Sequence, residues 1–73
     1  MTPFFASEFI ASRAAEHGVT VAQLRSKSRC PKLVQARVQI ARELKARSTS
    51  YKRIGALLNK HHTTIIHYMR RAG

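Results

Sequence analysis

The chain is short of acids. It has three, Glu8, Glu16 and Glu43, against fourteen lysines and arginines, for a formal net charge of +11. No acid follows Glu43, whereas Lys45, Arg47, Lys52, Arg53, Lys60, Arg70 and Arg71 do, so the second half cannot neutralise its own field. A polyanion is the natural partner of such a surface, and nucleic acid is the commonest polyanion. Cysteine is scarce too. Cys30 is alone, which excludes an intrachain disulfide and fits a reducing compartment. No apolar run approaches membrane-spanning length, and Met1-Thr2-Pro3 lacks the basic start of a signal peptide, so a cytoplasmic location is expected. There is no Gly-rich phosphate loop, nucleophile elbow or Walker sequence, and the three acids show no partner pattern. No enzyme and no cofactor are therefore expected.

What is present suits a small helical protein. Seventy-three residues make one domain, residues 1–73, too short for a substrate cleft between two domains. A hydrophobic content of 44% is too high for simple disorder. The spacing of Phe5 and Phe9, and of Ala6, Ile10 and Ala14, predicts a helix from about Phe5 to His17, closed by Gly18. Thr20 and Gln23 form a capping-box pattern, with Val19 and Leu24 placed as a hydrophobic staple, so a short second helix is expected up to Arg25. The segment from Ser26 to Lys32 is polar, basic and contains Pro31; it reads as a loop. Leu33, Ile40 and Leu44 share a face of a third helix running to Arg47. Ser48, Thr49 and Ser50 each offer an N-cap for a fourth, Tyr51 to Leu58. Asn59 tolerates the left-handed backbone of a sharp turn. A fifth helix is expected from His61 or His62 to Arg71.

Helix, tight turn, helix, with a basic second member, is the helix-turn-helix pattern at about residues 50–71. Taking His62 as zero and advancing about 100° per residue, Ile65, Ile66 and Met69 cluster on that side and should face a core. Lys60, Thr64, His67 and Arg71 fall opposite, with Thr63 and Arg70 on a flank. Such a face mixes hydrogen-bonding groups at the helix start with cations at its end. Thr can offer its hydroxyl to a base or a phosphate and its methyl to a thymine. His62 points inward, and both a satisfied histidine at the core edge and a base contact fit its place. Zinc is not expected, because His61, His62 and His67 lack the i, i+4 spacing of helical metal ligands and have no acid or cysteine beside them.

Ile54-Gly55, Leu57-Leu58, Asn59-Lys60 and His61-His62-Thr63-Thr64-Ile65-Ile66 resemble the signature of the C-terminal DNA-binding domain of the bacterial replication initiator DnaA. Ala36-Arg37, Ala41-Arg42-Glu43-Leu44 and the segment from Val19 to Arg29 resemble the elements that precede it, so that the likeness covers about residues 6–71. It implies an all-α, five-helix, Trp repressor-like fold that binds specific double-stranded DNA. By the resemblance, His61, His62, Thr63 and Thr64 are the major-groove set and Arg37 the minor-groove residue. Ser50, Tyr51 and Lys52 match positions that touch backbone. The outward face adds His67 to the base contacts. Lys60, Arg70 and Arg71, with Lys27, Arg29 and Lys32 of the basic loop, complete the expected phosphate contacts. Two departures stand out. His61 replaces the family's aspartate, and an imidazole offers a base edge a different donor–acceptor pattern from a carboxylate. Asn59 stands where the family usually has two glycines. Residues 1–73 themselves hold no ATPase module. The expected role is that of a small bacterial or phage-like transcription regulator at the nucleoid, alone, as a homodimer or within a larger parent protein. The alternatives are a basic RNA-binding module and an interaction module that competes with the initiator.

Overall fold

The computed structural model describes residues 5–71, Arg71 by its backbone alone. Five helices follow one another: α1 (Ala6–Glu16), α2 (Val21–Leu24), α3 (Pro31–Ala46), α4 (Tyr51–Leu58) and α5 (His62–Arg71). No strand is present among the described residues. Each boundary has a local cause. Gly18, at φ 72°, ends α1 by sending its N–H to the Ala15 carbonyl, while the Val19 N–H reaches Ala14. The capping box of α2 is formed in full: the Gln23 N–H donates to Thr20 Oγ1 at 3.0 Å, and the Thr20 N–H to Gln23 Oε1 at 2.9 Å. α3 starts two residues before Leu33, because Pro31 occupies the first turn, where its missing N–H costs no hydrogen bond. Ser50 is the residue that caps α4, accepting from the Arg53 N–H at 3.2 Å.

Ile10, Leu24, Ile40, Leu44, Ile54, Leu58 and Ile65 are fully buried and draw on every helix, so one core holds all five. Burial of each such side chain contributes about 1.5–3 kcal/mol. α5 sits in this core at a different angle from the one its sequence suggests. Ile65 is buried and Met69 packs against the core, as expected, but Tyr68 takes the second buried place and Ile66 is half-buried. The solvent face is consequently centred on Thr63, His67 and Arg70, and Thr64 lies toward the neighbouring loop.

The connection between α4 and α5 is three residues long and tight. Asn59 takes the left-handed conformation, φ 56° and ψ 44°. The Lys60 N–H then returns to the Gly55 carbonyl at 2.7 Å. A Cβ on Gly55 would stand 2.5 Å from the Lys60 carbonyl oxygen and 3.3 Å from the His62 nitrogen. Glycine is required there by this close approach of backbone to backbone.

Candidate nucleic-acid interface

The basic loop between α2 and α3 is held by side chains distant from it in sequence. Arg37 is 2% exposed. Its Nε donates to the Leu24 carbonyl at 2.8 Å and its Nη1 to that of Ser28 at 2.7 Å. Its Nη2 donates to the carbonyls of Ser26, at 3.0 Å, and Gln23, at 3.1 Å. The planar fork of a guanidinium suits this work, since its donors diverge in fixed directions. From the other side, the Asn59 side-chain amide donates to the Arg25 carbonyl at 3.1 Å, and the Lys60 ammonium donates to that of Ser26. The turn of the helix-turn-helix is thereby tied to the loop.

With its carbonyls drawn inward, the loop presents its side chains outward. Lys27 and Arg29 are exposed. They face α5 across a cleft of about 650 Å³ whose lining includes Ser28, Val34, Lys60, Thr64 and Tyr68. Lys60 titrates below its ordinary range, chiefly because it is partly desolvated and further because the charges of Arg37 and Lys27 are close. A polyanion in this cleft would relieve that repulsion. The acids lie elsewhere. Glu16 and Glu43 both pair with Arg13, whose pKa is raised, first by its hydrogen bond to Glu16.

At the tip of α5, His61 is exposed and its ring lies against that of His62, with centroids 4.3 Å apart. His61 Nδ1 is 3.2 Å from the Thr63 N–H and 2.8 Å from Thr63 Oγ1. His61 thus caps α5, as an aspartate would, through a ring nitrogen. His62 is half-buried, while Thr63, His67 and Arg70 are exposed. Among the described residues no group of three histidines, cysteines or acids could hold a metal ion.

This hydrogen-bonding tip, beside a basic loop fastened to its own turn, has the form of a DNA-reading head. Residues 8–72 match the model of the family described as the bacterial dnaA protein helix-turn-helix. The chain belongs to the bacterial DnaA helix-turn-helix family. No curated protein and no solved structure matches it. A DnaA helix-turn-helix domain is a sequence-specific DNA-binding unit without catalytic function, and the all-α fold agrees with that assignment. None of the helices among the described residues is long and apolar enough to cross a membrane.

Within the DnaA frame, the structure brings Lys27, Arg29, Lys60 and Thr64 together around the cleft, and Thr63, His67 and Arg70 on one face of α5. Arg37 is corrected. It does not stand free for a minor groove, because it is buried and its fork is committed to four carbonyls, those of Gln23 and Leu24 at the end of α2 and of Ser26 and Ser28 in the loop. The signal was in the sequence: Arg37 falls on the stripe of Leu33, Ile40, Ala41 and Leu44, all buried, and an arginine on an apolar stripe has to find acceptors. Lys60 is corrected in part, being half-buried and bonded rather than on the outward face. Lys32 is exposed, but its ammonium lies beside Gly18 at the α1–α2 turn and not in the cleft. At the start of α4, Ser50 caps the helix, Lys52 is exposed, and the half-buried Tyr51 has the Lys45 ammonium 4.4 Å over its ring. The Arg71 side chain lies outside the described residues. Asn59, read from sequence only as a turn former, is also a tether through its amide.

Proposed function

We propose that this chain is a small DNA-binding regulator in which α5 enters the major groove while the loop before α3 grips the adjoining phosphates. The observation that carries the reading is the cleft in which Lys27, Arg29 and Lys60 flank Thr64, kept in register by the Asn59 and Lys60 tethers. Such cations neutralise phosphates irrespective of sequence, and the helix tip supplies preference. His61, Thr63, His67 and, at the cleft edge, Thr64 are the proposed base-reading set, with His62 supporting them at the core edge. Lys27, Arg29, Lys60 and Arg70 are the proposed phosphate contacts, and Ser50, Tyr51 and Lys52 follow at the start of α4.

The site of action is proposed to be the nucleoid. A single head of this size makes few contacts, so tandem sites, a second copy or a parent protein would supply avidity. Fluorescence anisotropy on duplex DNA, structured RNA and mixed-sequence competitor, at two salt concentrations, tests the reading. Duplex DNA is expected to bind best, with a steep salt dependence. Equal or tighter binding of structured RNA would overturn it.

A further inference from the structure

The hydrogen bonds at the start of α5 fix where the proton of His61 resides. The Thr63 backbone N–H can only donate, and it points at His61 Nδ1 from 3.2 Å. Nδ1 therefore presents a lone pair, and the proton of the neutral ring is on Nε2. Thr63 Oγ1 is 2.8 Å from the same Nδ1. Facing a lone pair, the hydroxyl must give its hydrogen to the ring. Two consequences follow for the exposed surface. His61 turns an Nε2–H donor outward, and Thr63 turns outward an oxygen that can only accept, together with its methyl group. The His62 ring, tilted 33° against His61, supports the exposed imidazole from one side.

We propose that His61 selects a hydrogen-bond acceptor on a base edge in the major groove, guanine above all, through Nε2–H, with its tautomer set by its capping bond to Thr63. This rests on the reading of α5 as the groove-entering helix. In the major groove guanine presents O6 and N7 as acceptors, thymine O4 and adenine N7, whereas cytosine presents the N4 amino donor. A donor that cannot change its role meets cytosine N4 unfavourably and guanine twice favourably. An aspartate at this position has the opposite character. It caps the helix equally well but turns an acceptor outward, which suits cytosine. One residue thus keeps the cap and inverts what the tip asks of the base. Thr63, left with an accepting oxygen, accompanies His61 as the partner for an amino group or a thymine methyl on a neighbouring pair.

The test is an unbiased selection of duplexes bound by the full chain and by its H61D variant, with the tautomer of the free protein measured by long-range ¹⁵N–¹H correlation. One position of the wild-type consensus is expected to carry guanine and to change to cytosine in His61→Asp, the rest being retained. The preference should swing by roughly tenfold or more in competition binding. The free protein should show a protonated Nε2 and an unprotonated Nδ1 at His61. A consensus that His61→Asp leaves unchanged, cytosine at that position in the wild type, or a proton on Nδ1 would each overturn the proposal alone. Failure of both proteins to enrich any sequence would overturn the reading of α5, and the proposal with it.

Discussion

Arg37 and Lys60 donate to one and the same oxygen, the Ser26 carbonyl. Two like charges from elements far apart in sequence converge there, and the loop that carries Lys27 and Arg29 is fixed where they meet. The Lys60 pKa is lowered there, chiefly by partial burial and further by the nearby charge of Arg37. That repulsion is offset by the four backbone carbonyls to which Arg37 donates, Gln23 and Leu24 of α2 and Ser26 and Ser28 of the loop.

Arg37 is accordingly expected to act through the fold. Arg37→Leu takes the donor from the Leu24 and Ser28 carbonyls, while Ser26 keeps Lys60 and Gln23 keeps the Ser26 amide and hydroxyl, and it should cost about 3 kcal/mol or more. For a domain of this size that lowers Tm by on the order of 10–20 °C. Arg37→Lys should fall between, because an ammonium cannot reproduce the fork. Thermal unfolding followed by circular dichroism measures both. Unchanged stability with selective loss of DNA affinity would restore Arg37 to the contact set.

Gly55→Ala sets two effects against each other. Alanine gains about 1 kcal/mol of helix propensity, but its Cβ would press on the Lys60 carbonyl from 2.5 Å. Forcing backbone apart costs about 1–3 kcal/mol, so net destabilisation is expected, with weaker DNA binding as the turn opens. Urea unfolding and anisotropy on the same preparation decide it. A stabilised Gly55→Ala would show that the turn gives way freely.

Lys27→Ala and Arg29→Ala should weaken binding to all duplexes alike. Each should also reduce the slope of log K against log salt by about one. Thr63→Ala and Thr64→Ala should instead erode preference for the selected site, by about 1–3 kcal/mol for a base-contacting side chain. Salt titrations on specific and random duplexes separate the two classes. A sequence-dependent loss at Lys27 would move that residue to the reading set.

Lys60 gives a pH dependence with a definite sign. Its folded-state pKa lies below the ordinary 10.5, so between the two values the unfolded chain binds more protons than the folded one. Stability therefore rises with pH across that window, and the rise is absent in Lys60→Met. Chemical denaturation of both proteins from neutrality to pH 10.5 measures the difference. A difference in stability that stays constant over this range would show that Lys60 titrates normally.

The sequence by itself determined those features whose causes lie within a few residues. Thr20 with Gln23, Gly18 and Asn59 set helix ends through their own backbones and near neighbours, and the structure forms each as its pattern indicates, while of the three caps open to α4, Ser48, Thr49 and Ser50, it takes Ser50. The stretch from Ile54-Gly55 to Ile65-Ile66, with His-Thr-Thr its most specific part, pointed to the family for the same reason: its residues lie close together in the chain. Tertiary structure decided what depends on distant partners. Arg37 finds acceptors 9 to 14 positions away, and Asn59 and Lys60 find theirs 34 positions away. The placing of Tyr68 in the core ahead of Ile66 was likewise set by the surface α5 packs against, which an isolated helical wheel does not contain. Capping is a short-range competition for hydrogen bonds. Burial of a charge is a long-range one, won only when another part of the chain brings the acceptors.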